Sequence, residues 1–328
     1  MEIIRADRLA KQFHVNRHHR GVWGSVRNLF SREYRVVKAV DGISFTIDRG
    51  ELVGYLGPNG AGKSTTIKML AGLLVPSGGE VVVNGRIPWR ERREHVQGLG
   101  AVFGQRTTLW WDLPVIESLQ LLKHIYRVPA RRFQDNLETF EALLDLGPFL
   151  DTPVRSLSLG QRMRADLCAA LLHDPPLLFL DEPTIGLDVV AKERIRRFIR
   201  HVKEERGTTV LLTTHDLADV QKLCERVLII DRGRLLYDGN LDTLQQQFGG
   251  KRELVVEFAE VYETVEIAGA TVADRRERQV TYHFERNALS ASQLINRLSR
   301  RYRITDLAVR EPDVEATIRR IYEERLLE

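Results

Sequence analysis

Residues 53–64 run Val53-Gly54-Tyr55-Leu56-Gly57-Pro58-Asn59-Gly60-Ala61-Gly62-Lys63-Ser64. The last eight of these fit G-x-x-x-x-G-K-[ST], a loop that wraps phosphate. Val53 to Leu56 reads as a buried strand ahead of the loop, and Thr66 to Leu74 carries a helical pattern behind it. In such a loop the glycines let successive N–H groups turn inward, and the following helix presents its positive end. Lys63 can then reach the β- and γ-phosphates, and the Ser64 hydroxyl can ligate Mg²⁺.

A magnesium-bound phosphate needs a carboxylate at the tip of a neighbouring strand, and Leu177-Leu178-Phe179-Leu180-Asp181-Glu182 supplies one. The apolar residues bury a strand, and the two acids stand where it emerges. Asp181 suits the metal shell. Glu182, one residue on, is placed to orient and polarise an attacking water. Standing alone the pair would also fit an ordinary acidic turn; beside a phosphate loop the catalytic reading is preferred.

The remaining chain agrees with a nucleotide hydrolase. The 328 residues suggest two domains, and an apolar share of 43% with 29% charge is that of a globular protein. A net charge of +4 is weak evidence for nucleic acid or anionic lipid. Cys168 and Cys224 lie far apart in apolar context and read as buried free thiols. Met1 to Phe13 is charged and without an apolar core, so no secretory leader is expected. No apolar run is long enough to cross a membrane. Apolar runs at 177–180, 209–213 and 227–230 alternate with helical stretches such as Val190 to Glu205. The expected fold is therefore α/β with a mainly parallel sheet core.

No [NT]-K-x-D guanine-reading motif occurs, and Leu157-Ser158-Leu159-Gly160-Gln161 lies about twenty residues before Asp181. That pentapeptide resembles the L-S-G-G-Q signature of ABC (ATP-binding cassette) ATPases, with Leu159 in place of the first glycine of the pair. Gln105 resembles the Q-loop glutamine, Gly186-Leu187-Asp188 the D-loop and His215 the switch histidine of the same family. The resemblance covers about residues 1–240. It extends, with Gly104-Gln105-Arg106 and Asp181-Glu182-Pro183-Thr184-Ile185-Gly186-Leu187-Asp188, to the ATPases that serve ABC-2-type exporters.

The resemblance implies an ATP hydrolase working with ATP and Mg²⁺. It implies a head-to-tail pair, of two copies or of two related subunits, in which each ATP lies between the Lys63 loop of one chain and the Ser158–Gly160–Gln161 signature of the other. Catalytic roles fall to Glu182, His215 and Gln105. The ATP-contacting set is residues 57–64, Thr65, Ser158, Gly160, Gln161 and Asp188; the metal set is Ser64, Gln105 and Asp181. An aromatic normally stacks on adenine. Phe13 and Tyr34 compete for that role, and Tyr34 is preferred for its distance to the strand expected at Gly42–Ile47. The partners implied are separate membrane-spanning permease subunits that hold the ATPase at the cytoplasmic face of the membrane, with no direct nucleic-acid contact. A soluble ATPase acting on ribosomes or DNA, and an importer motor, remain the alternatives.

Domain 1–240 is expected to carry a helical subdomain at about 106–172, and residues 241–328 a small α+β domain. Within Arg106 to Glu117, Trp110, Trp111 and Leu113 fit either a permease-facing surface or a core. An insert from Val15 to Arg35 places Val22, Trp23, Val26, Leu29 and Phe30 at helical spacings with arginines on the flanks. This suits an amphipathic helix lying on a membrane or permease, or packed on its own domain.

Overall fold

The computed structural model describes residues 1–16, 34–104, 106–214, 216–248, 251–285, 288–310 and 314–324. Gln105, His215 and the helical face expected between Val22 and Phe30 lie outside the described residues.

The elements run β1 (Glu2–Asn16), β2 (Tyr34–Asp48), β3 (Leu52–Leu56), α1 (Lys63–Leu70), β4 (Gly78–Val83), α2 (Arg92–Gln97), β5 (Leu99–Phe103), α3 (Val115–Ile125), α4 (Ala130–Leu144), α5 (Leu159–Leu171), β6 (Leu177–Asp181), α6 (Val189–Arg206), β7 (Thr209–Thr214), α7 (Leu217–Leu223), β8 (Arg226–Asp231) and β9 (Arg234–Asn240). After them come α8 (Leu241–Phe248), β10 (Arg252–Phe258), β11 (Thr271–Arg276), β12 (Gln279–Phe284), α9 (Ala291–Ser299), β13 (Ile304–Arg310) and α10 (Val314–Glu324). The chain divides into two compact units, Met1–Gly239 and Asn240–Glu328.

In the first unit a six-stranded sheet has the order β5-β6-β7-β3-β8-β9. The pairs β5–β6, β6–β7, β7–β3 and β3–β8 are parallel. β3 and β7 are buried along their whole length, which explains why neither shows an alternation of apolar and charged residues. The register matters for function. Phe103 stands beside Asp181, Asp181 beside Thr213, and Thr213 beside Tyr55, so the carboxyl ends of four strands finish in one row. Loops leaving that row are where an open α/β sheet binds ligands.

An antiparallel sheet, β2-β1-β4, completes the body of this unit. Ile67, Met69 and Leu70 of α1 belong to one buried cluster with Ile4, Ile47 and Val83 of this sheet and with Tyr55 and Phe179 of the other. The phosphate-loop helix is thereby fixed by apolar packing on both sheets. β1 and β2 pair from Glu2–Asp48 out to Asn16–Tyr34. Val15 and Arg35 therefore belong to a strand ladder, where they face each other, and not to a helical insert.

The helical segment is α3, α4 and α5, with the Phe140 ring edge-on to Phe198 of α6 at 5.3 Å. Cys168 and Cys224 are buried free thiols, and burial pushes the Cys168 thiol up to about 12. Among the described residues no helix is long and apolar enough to cross a membrane. The second unit is an antiparallel sheet, β11-β12-β10-β13, whose core gathers Leu254, Val256, Tyr282 and Phe284 with Leu294 and Leu298 of α9.

Candidate nucleotide site

The loop between β3 and α1 is shaped by close approaches that only glycine allows. A Cβ on Gly57 would stand 2.5 Å from the Ile230 carbonyl oxygen, and one on Gly62 2.4 Å from that of Ala39. Gly62 has φ +110 and Gly60 φ +83. Ala61 is buried and its carbonyl accepts from the Gly233 N–H at 2.9 Å, which ties the loop to the turn after β8.

The loop opens on a cleft of about 770 Å³. Asn59, Gly60, Gly62, Lys63, Ser64, Thr65, Asp181 and Glu182 line it, together with Ala39, Lys68, Gly104, Arg106 and Ile185, none of which the sequence singles out as binding residues. The Lys63 ammonium donates to the carbonyls of Gly57 (2.6 Å) and Pro58 (3.2 Å). Burial lowers its pKa, while the charges of Glu182 and Asp181 oppose that shift.

Asp181 ends β6 with its Oδ1 accepting from Thr213 Oγ1 at 2.5 Å and from Ser64 Oγ at 3.2 Å. A hydroxyl and a carboxylate from two elements thus converge as hard oxygen donors, the set Mg²⁺ prefers. Glu182 follows at φ +58, a left-handed conformation rare outside glycine and worth roughly 1–3 kcal/mol of strain. Its N–H is held by the Thr213 carbonyl (3.0 Å) and hydroxyl (3.2 Å). Gly104, directly after β5, crowds it: a Cβ there would sit 2.8 Å from the Glu182 carbonyl oxygen. Thr213 escapes sequence reading as a site residue, because a threonine in a buried strand carries no motif; Gly104 enters it only as the neighbour of Gln105.

The signature residues lie elsewhere in the same chain. Ser158 caps α5 in a reciprocal box: its hydroxyl accepts from the Gln161 N–H at 3.2 Å, and the Gln161 amide oxygen accepts from the Ser158 N–H at 2.9 Å. The Ser158 N–H is therefore committed to the cap. The N–H groups of Leu159 and Gly160 in the first turn have no intrahelical partner. Leu159, in the position of the missing glycine, packs its side chain toward Gly186. A Cβ on Gly160 would meet nothing closer than Ala191 and Leu187 at 3.7 Å, so the chain's own packing does not require glycine there. Asp188 caps α6 through the Ala191 N–H at 2.8 Å. Ser158, Gly160, Gln161 and Asp188 do not line the cleft around Lys63.

Tyr34 is 59% exposed at the far end of the hairpin with its ring against His14, and neither it nor Phe13 lines the cleft. Trp110 and Trp111 are 39% and 51% exposed, so they are surface aromatics rather than core; the Arg162 guanidinium lies over the Trp111 ring.

Known proteins resemble this chain in sequence and in fold. The family model described as ABC transporter matches residues 40–185. The ABC transporter ATP-binding protein NatA of Bacillus subtilis (strain 168) is 36% identical over 217 residues, spanning 66% of this chain and 88% of that protein. The chain belongs to the ABC transporter ATP-binding proteins. As a member of this family it is an ATP-binding ABC ATPase, an ATP hydrolase. The daunorubicin resistance ATP-binding protein DrrA3 of Streptomyces coeruleorubidus is 36% identical over 260 residues, spanning 79% of this chain and 80% of that one. The Nod factor export ATP-binding protein I of Rhizobium meliloti is 35% identical over 253 residues, spanning 74% and 75%. A solved ATP-binding subunit of an ABC transporter superposes with a TM-score of 0.63 at 26% identity, over 75% of this chain and 93% of that one. A dimeric bacterial ABC transporter cassette gives 0.60 at 25%, over 72% and 98%.

Proposed function

We propose that this ABC ATPase is the motor subunit of an exporter, hydrolysing ATP between two paired ATPase subunits and passing the resulting motion to separate permease subunits at the membrane. The observation that carries the reading is the convergence of Lys63, Ser64, Asp181 and Glu182 on one cleft, while the signature stands apart from it, with first-turn N–H groups that have no intrahelical partner. Relatives named for drug resistance and for Nod factor export give the direction of transport.

The phosphates of ATP fit the loop at 57–64, where Lys63 leaves its two carbonyl acceptors for the β- and γ-oxygens. Ser64 and Asp181 would hold Mg²⁺, which when bound neutralises charge on those oxygens. Glu182 accepts a proton from water as the water oxygen bonds to the γ-phosphorus and the bond to the bridging oxygen breaks, giving ADP and phosphate. Gln105 and His215 take the roles that the family resemblance gives them beside the metal and the γ-phosphate. The helix N-terminus at Leu159–Gly160 of a second subunit closes the site with its N–H groups and dipole. The exposed tryptophans at 110 and 111 offer an apolar surface to the permease.

Replacing Gly160 by glutamate tests the shared site. A Cβ at this position meets only ordinary van der Waals contacts, so thermal stability and ATP binding by single chains should stay close to wild type. Turnover falls at least a hundredfold, because a carboxylate then faces the partner's γ-phosphate. Tagged wild-type chain should co-purify with a multi-span membrane protein. Unchanged turnover in Gly160→Glu would remove the shared site, and recovery without any membrane protein would remove the motor role.

A further inference from the structure

Behind Glu182 lies a buried charged cluster that the reaction described above does not use. Asp219 of α7 is fully buried, and Arg196 of α6 is 5% exposed. Asp219 Oδ1 accepts from Arg196 Nε at 2.6 Å and lies 2.5 Å from a terminal guanidinium nitrogen. Its other oxygen, Oδ2, accepts from the hydroxyl of Thr184, itself 2% exposed in the loop after β6. A buried carboxylate is costly unless paired and fully hydrogen-bonded, and here both oxygens are engaged.

The Arg196–Asp219 pair already joins α6 to α7 without Thr184. What the hydroxyl adds is a tie to the loop two residues beyond Glu182. That loop needs one. Glu182 stands in a left-handed conformation, which persists only where the surroundings over-determine it. On its amino side the Thr213 bonds hold it. On its carboxyl side the turn bonds Ile185 N–H to Glu182 and Leu187 N–H to Thr184 are long, both 3.3 Å. A hydrogen bond to an ionised carboxylate is roughly twice as strong as a neutral one, so the Thr184–Asp219 bond outweighs either of these turn bonds.

We propose that Thr184, anchored by the buried Asp219–Arg196 pair, is a positioning residue that holds Glu182 in its reacting conformation. Asp219 lies on the helix that Asp216 caps through the Ala218 N–H at 3.0 Å. The same anchor therefore fixes the helix Leu217–Leu223, whose cap Asp216 follows His215 in the sequence. The inference rests on the reading of Glu182 as the residue that activates water.

The test uses the full-length chain and three substitutions. Thr184→Val keeps the shape and removes the hydroxyl; kcat should fall about tenfold while KM for ATP stays within twofold, since misplacing a catalytic group costs turnover and not binding. Thr184→Ser keeps the hydroxyl and should restore kcat to within twofold of wild type. In single-turnover assays, adding Thr184→Val to Glu182→Gln should slow the residual rate less than twofold, because the two act through one group. Should Thr184→Val not fold, Thr184→Ala removes the hydroxyl without adding volume and carries the same comparison. Wild-type kcat in the hydroxyl-free variant, or a full tenfold loss on top of Glu182→Gln, would overturn the inference. High turnover in Glu182→Gln alone would overturn the reading of Glu182 instead.

Discussion

Ser64, at the start of α1, donates its hydroxyl to Asp181 Oδ1, 117 residues further along the chain, at 3.2 Å. The two reach each other because β6 and β3 end in the same row of the parallel sheet, with β7 between them. The phosphate loop and Asp181 are thus brought together by strand register, not by any contact within either motif.

The loop's glycines should differ in cost. Gly57→Ala and Gly62→Ala each drive a Cβ into a backbone carbonyl, at 2.5 and 2.4 Å. Both should destabilise the first unit by more than about 2 kcal/mol, as strain and overpacking do. Gly60 has a positive φ but open space around it, so Gly60→Ala should cost only about 1 kcal/mol. Urea midpoints of the three variants check the order, and equal losses would mean the close approaches are not rigid.

Much of this fold is legible in the sequence, for a physical reason. Strands buried on both faces are apolar along most of their length, so β3, β6, β7 and β8 stand out at 52–56, 177–181, 209–214 and 226–231. β11 does not, because all six of its residues are exposed and Asp274, Arg275 and Arg276 carry no apolar alternation. Nor does α8, where Gln245 to Gln247 form a polar run although Leu241 and Leu244 bury one face. The extent of β1 and β2 is hidden too. The outer part of the hairpin exposes Val15, Val36 and Val37, so no burial pattern marks where pairing ends. In the site, motif residues were legible; the residues that hold them, Thr213, Thr184 and Asp219, were not, since their roles exist only across elements.

Two buried groups should give stability opposite pH dependences. Burial depresses the His173 imidazole, stacked on Tyr126, from 6.5 to about 4. Between those values the unfolded chain binds more protons, so this contribution is complete above pH 6.5 and lost as pH falls to 4. Burial raises Asp166 from 3.8 to about 6, against the hydrogen bonds donated by Thr107 and Thr108. Here the folded chain binds more protons, so stability declines as pH rises from 3.8 to 6 and stays lowered above. His173→Phe should flatten the acid loss, and Asp166→Asn should remove the decline. Melting temperatures of both variants at steps from pH 4.5 to 8, taken as differences from wild type, read these slopes; differences independent of pH would refute the assignments.

The most direct test of the central claim is the rate of ATP hydrolysis by Glu182→Gln, measured beside its ATP affinity. The amide keeps the size and the left-handed backbone but cannot take a proton from water. The account predicts ATP binding within about threefold of wild type and a kcat reduced at least a hundredfold, with paired subunits trapped on ATP. A kcat within a few-fold of wild type would contradict it.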